Sequence, residues 1–151
     1  VLAVKIPKDR AFMHLDTVFT MVDYDKFTVY PGILDHVETV MIRRGSKGHM
    51  RYEHIDSLHD ALRRALNLTS IKLIESGGGN PVAAAREQWN DSTNTLAIAP
   101  GVIVAYGRNE RSNEVLAENG IDVISIEASE LVRGRGGPRC MTMPLNRDPL
   151  K

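Results

Sequence analysis

The stretch from Thr95 to Ile126 reads TLAIAPGVIVAYGRNERSNEVLAENGIDVISI, and its punctuation decides the fold. Thr95 to Ala99 and Val102 to Tyr106 are β-branched and apolar runs joined by Pro100-Gly101, which predicts a hairpin. Asn113 to Asn119 predicts a short helix closed by Gly120, and Asp122 to Ile126 a returning strand. The same order occurs upstream. Leu15 to Val22 and Phe27 to Tyr30 predict two strands around the turn cluster Asp23-Tyr24-Asp25-Lys26. Leu58, Ala61, Leu62, Ala65 and Leu66 then fall at the spacing of one helical face, with Asp56 or Ser57 as N-cap, before the short strand Ile71 to Ile74 stops at Gly77-Gly78-Gly79.

Two strand-strand-helix-strand units predict an α/β fold in which each unit covers its neighbour's exposed face. The approximate units are 1–76 and 77–151, within a single domain. A further strand is expected over Val37 to Ile42, ended by the turn Arg43 to Gly48, and a helix over Pro81 to Trp89 begins on a proline the first turn tolerates.

Composition narrows the function classes. The 151 residues carry 19 Lys and Arg against 19 Asp and Glu, so no long-range field draws the chain to phosphate, and nucleic acid is not expected as a partner. The apolar runs fall short of the 18 to 20 residues or so of a membrane span, so no membrane association is expected. A single cysteine forms no intrachain disulfide, which suits a reducing cytoplasm. Opening on Val1-Leu2-Ala3-Val4-Lys5-Ile6, the chain reads as one cut within a domain, a piece of something larger.

Arg133-Gly134-Arg135-Gly136-Gly137-Pro138-Arg139-Cys140 is the most unusual segment, and three glycines, a proline and three arginines make it a loop. The apolar run Met141 to Leu145 reads as a strand anchoring its far end. A lone cysteine is commonly a small core residue. Glycine N–H groups and three guanidinium groups would favour a thiolate, however, and so a reactive Cys140. A cysteine nucleophile commonly works with a histidine. His49, His54 and His59 turn about 140° per five-residue step on a helix and share no face, so no metal cluster is expected there, and one cysteine does not suggest structural zinc. His36 reads as a surface residue. His14 and Asp16 stand two apart at a strand start, where alternation sends both to one side: a pair suited to proton transfer and to holding a cation, or a hydrogen-bonded pair closing the strand.

Four blocks together, Phe12 to Thr20 (FMHLDTVFT), Arg86 to Asp91 (REQWND), Asn94 to Gly101 (NTLAIAPG) and Arg133 to Met141 (RGRGGPRCM), resemble the carboxy-terminal part of the bacterial arginine deiminases. The resemblance implies a partial α/β propeller of the pentein type, with the two units as its last modules. It implies hydrolysis of L-arginine to L-citrulline and ammonia through a thiouronium intermediate, with no cofactor or metal. By the same resemblance Cys140 is the nucleophile, His14 the acid/base, Asp16 a carboxylate gripping the guanidinium, and Arg135 with the Gly134 backbone the groups that engage the amino-acid end. The family's further substrate contacts have no counterpart in these residues, so the chain alone is expected to be inactive and, with module faces uncovered, to form homo-oligomers. Rival readings are an amidinotransferase or methylarginine hydrolase, and an RNA-binding fragment using Arg133 to Arg139.

Overall fold

The computed structural model describes residues 1–148 and, within them, every side chain but that of Lys47. The strands are β1 (Leu2–Lys5), β2 (Phe19–Met21), β3 (Lys26–Val29), β4 (Glu38–Arg44), β5 (Met50–Ile55), β6 (Lys72–Glu75), β7 (Leu96–Ala99), β8 (Val102–Tyr106) and β9 (Asp122–Ile126). The helices are α1 (Leu58–Leu66), α2 (Pro81–Trp89) and α3 (Glu110–Glu118). Three small open sheets result, and none closes on itself among the described residues.

Two of these sheets share one topology. In β2-β3-β6 the first pair is antiparallel and β3 runs parallel to β6; in β7-β8-β9 the hairpin is again antiparallel and β8 is parallel to β9. A parallel return requires a crossover, and α1 and α3 supply it. The third sheet, β1-β4-β5, is wholly antiparallel; β4 and β5 are inserted between β3 and α1, and β1 joins them from the head of the chain. Phe19, Phe27, Val29 and Ile33 of the first unit pack against Leu58 and Leu62 of α1, while Ala61 on the same helix meets Met41 and Ile55 of the inserted sheet. The two units then share a core, in which Val22 and Ile74 pack with Ile103, Ala105, Leu116 and Ile121. Each buried Val, Leu, Ile, Phe or Met side chain among these contributes about 1.5–3 kcal/mol.

Several sequence expectations change. Leu15–Thr17 is a 3-10 turn, so the strand expected over Leu15 to Val22 is β2, confined to Phe19–Met21. Met50–Ile55 is polar, with five of its six residues exposed, but it is a strand and carries His54, so the helical spacing considered for His49, His54 and His59 does not apply there. Ala65 and Leu66 lie outside the buried face of α1, which holds only Leu58, Ala61 and Leu62. α3 starts at Glu110, three residues early. Met141 to Leu145 forms no strand and is exposed, for no neighbouring strand pairs with it; Thr142 Oγ1 instead bonds back to the carbonyls of Pro138 and Arg139. No helix among the described residues is long and apolar enough to cross a membrane.

Candidate active site

Five consecutive polar residues, Asp91 to Thr95, are buried between α2 and β7. Burying polar groups costs free energy unless they bond, and two of these five spend their bonds on the arginine-glycine loop. Asn94 grips Cys140 twice: its Oδ1 accepts from the Cys140 backbone N–H at 3.0 Å, and its Nδ2 donates to Sγ at 3.1 Å. Asp91 Oδ2 accepts from the Gly136 N–H at 3.0 Å. The Gly136 carbonyl in turn accepts from Tyr106 Oη–H, at the end of β8, at 2.9 Å. Gly137 is required by close approach, since a Cβ there would run into the Asn94 carbonyl oxygen and lie 2.7 Å from its Cβ. The sequence therefore needs small residues where the loop crosses the buried polar segment.

The head of the chain reaches the same place. His14 precedes the 3-10 turn, and its carbonyl accepts from Thr17 Oγ1–H at 2.7 Å. Gln88 of α2 donates to the carbonyls of Ala11 and Thr17, at 2.9 and 3.3 Å, and so pins this segment to the helix. The outcome is that one donor atom each from His14, Asp16 and Cys140 lies within 4.8 Å of the others. Asp16 Oδ2 is 3.9 Å from Sγ and 3.5 Å from Arg139 Nε, whereas its Oδ1 is buried without a partner. His14 and Asp16 meet through the 3-10 turn, not through strand alternation as the sequence suggested.

The remaining loop residues stand differently. Arg135 adopts φ 60°, an uncommon conformation for a side-chain-bearing residue. Its guanidinium lies 4.0 Å above the Trp89 ring, and its Nε is buried without a hydrogen-bond partner. Gly134 closes the turn Leu131–Gly134 in the open, with no atom within 4 Å of where a Cβ would stand. Nor do the three arginines support a thiolate: Arg133 pairs with Glu130 at 3.1 Å, Arg139 with Asp16, and Arg135 with Trp89. Partial burial pushes the Cys140 thiol above its ordinary range and the Asp16 charge adds to this, while the hydrogen bonds from Asn94 and the Gly137 region oppose it. Burial likewise raises the Asp91 carboxyl, against the pull of the Gly136 N–H and Arg135.

An open groove of about 1390 Å³ runs past these groups, lined by His14, Asp16, Thr20, Leu96, Ala97 and Arg139 among others. The edge strands β2 and β7 form its walls. A thiol, an imidazole and a carboxylate meeting beside a groove can perform nucleophilic attack on a cationic carbon with proton transfer at hand. Sequence reasoning gave Asn94, Asp91, Gln88, Trp89 and Tyr106 no role. The one local signal is a five-residue polar run between a helix and a strand, which hydropathy reads as solvent-exposed.

A family model described as arginine deiminase matches residues 1–147. Arginine deiminase of Levilactobacillus brevis is 55% identical over 99% of this chain and 37% of that protein. That of Bacillus cereus is 56% identical over 97% of this chain and 37% of that protein. The chain thus spans a little over a third of the length of these curated relatives. Among solved structures, the binary complex of an AgrE mutant with L-arginine matches 90% of this chain and 16% of that one, at a TM-score of 0.54 and 15% identity, a likeness of fold.

Proposed function

The chain belongs to the arginine deiminase family, and from that premise we propose that it supplies the nucleophile and proton-transfer half of a site that hydrolyses L-arginine to L-citrulline and ammonia. Cys140 Sγ attacks the guanidinium carbon. The C–N bond to one terminal nitrogen breaks, and ammonia leaves with a proton delivered by His14, giving a thiouronium. His14 then takes a proton from water, the hydroxide adds to the same carbon, and the C–S bond breaks to return the thiolate. Asp16 opposes the guanidinium cation, and Arg135 with the Gly134 backbone receives the carboxylate end. No metal or cofactor enters this scheme.

The approach of Cys140, His14 and Asp16 from opposite ends of the sequence carries the reading. Two further features support it. The Arg135 Nε has an unused donor. Asp16, whose charge adds to burial in holding the thiol up, is neutralised once a guanidinium sits against it, so binding of the cation itself favours the thiolate. Consistently, the solved neighbour of like fold is a complex with L-arginine.

The units 1–76 and 77–151 are, on the same reading, consecutive modules of a pentein-type α/β propeller that acts in the cytoplasm, and copies associate through uncovered module faces. The test is a chimera in which this sequence replaces the corresponding segment of the Bacillus cereus relative. Citrulline formation that disappears with Cys140→Ser and His14→Ala is expected; a folded chimera without activity, or one indifferent to Cys140→Ser, overturns the proposal.

A further inference from the structure

We propose that His14, Asp16 and Cys140 also form a site for a thiophilic divalent cation of the zinc type, held by three protein ligands with a fourth position open to solvent. Each residue offers one donor atom, and all three donors fall within 4.8 Å of one another. In a tetrahedral site, metal–sulfur and metal–oxygen bonds of about 2.3 and 2.0 Å put the sulfur and oxygen about 3.5 Å apart. Cys140 Sγ and Asp16 Oδ2 already stand at 3.9 Å. A few tenths of an ångström of closure suffices for that pair, and the exposed His14 ring has room to swing in.

The surroundings favour this geometry. Asn94 fixes Cys140 at its backbone, and the 3-10 turn fixes the peptides that carry His14 and Asp16, so little ordering remains to be done on binding. The second carboxylate oxygen of Asp16 is buried and unclaimed. Arg139 holds Asp16 only at 3.5 Å from an exposed side chain, and it can leave for water when a cation arrives. Charge balances: the Cys140 thiol releases one proton to solvent and bonds as thiolate, Asp16 brings a second negative charge, His14 binds through a neutral nitrogen, and the dication cancels both charges. A sulfur and an imidazole nitrogen select zinc-like ions over magnesium or calcium, which prefer oxygen. Such an ion would occupy the sulfur needed for attack and the carboxylate needed for the guanidinium. That blocking consequence rests on the deiminase reading; the binding does not.

The experiment titrates the chain with Cd2+, whose bond to thiolate absorbs in the ultraviolet, and then displaces it with Zn2+. We expect a charge-transfer band saturating at one equivalent, reversed by Zn2+ and absent in Cys140→Ser. His14→Ala should weaken Zn2+ binding by about tenfold or more, since loss even of outer-shell partners costs that much. Replacing His49, His54 and His59 together with Ala should change nothing. In the unmodified chain, which depends on no variant folding, Zn2+ but not Mg2+ should suppress alkylation of Cys140. Absence of the band, Zn2+ binding that survives Cys140→Ser, or binding that tracks the three surface histidines overturns the proposal. An inactive chimera that still shows the band would sink the deiminase reading alone, and an active one without the band would sink only the metal site.

Discussion

Cys140 depends on one side chain at two points, because Asn94 accepts from its backbone and donates to its sulfur. Asn94→Ala removes both bonds and leaves a buried gap, at a cost of about 1–3 kcal/mol. For a chain of this size the melting temperature should fall by about 2–4 °C per kcal/mol, and an unchanged thermal melt would contradict the assigned role. The thiol itself is held protonated by partial burial and by Asp16. Thiolate is the reactive form, so alkylation of Cys140 should stay slow through neutral pH and climb only above the ordinary thiol range. Asp16→Asn removes the negative charge and must lower the thiol's pKa, moving the alkylation profile to lower pH. A profile that stayed in place or moved upward would show that Asp16 does not govern the sulfur.

At the scale of elements, Glu87 explains why α3 begins where local sequence does not put it. Asn109 stands at the N-cap without a side-chain bond of its own to the helix end. The cap comes from α2: Glu87, fully buried, accepts from the N–H groups of Arg111 and Ser112 at 3.1 and 2.9 Å and from Ser112 Oγ–H at 2.6 Å. A carboxylate at a helix N-terminus is favourable for both its lone pairs and its charge. Glu87→Ala orphans three donors, and we expect a loss on the order of 3 kcal/mol with an unchanged denaturant slope in urea. Glu87→Gln keeps one acceptor oxygen and should lose less. The second unit was legible because Pro100-Gly101 and clean apolar runs act locally, and β8 and β9 appear where the pattern puts them. β5 was not legible, since an edge strand exposed on both faces carries no alternation. Asp91 to Thr95 was not, because its burial is set by a loop some 45 residues away. His14, Asp16 and Cys140 were picked out by residue chemistry and resemblance, but the turn joining the first two and the engagement of all three arginines elsewhere depend on partners distant in sequence.

On the scale of the whole molecule, the groove lined by His14, Asp16 and Arg139 is too open to be a finished substrate site. Small-molecule pockets generally hold about 300–1,000 Å³ and bury most of the ligand, whereas this groove exceeds that range and is walled by two edge strands, β2 and β7, each hydrogen-bonded on one side only among the described residues. The apolar side chains of Met21 and Ile98 stand exposed on those same two strands. Asp16 is the carboxylate that contacts the sulfur, while Asp91 is committed to the Gly136 N–H, and a planar guanidinium with donors on several edges needs more than a single acceptor to be oriented for attack. A relative of the family is more than twice as long as this chain, since the match covers 37% of it. We therefore expect the chain alone, incubated with L-arginine, to form no more citrulline than its Cys140→Ser variant, while the chimera with the Bacillus cereus relative is active. Turnover by the isolated chain that vanished with Cys140→Ser would mean that one carboxylate and an open groove are enough to orient the cation, and the requirement for further modules would fall with it.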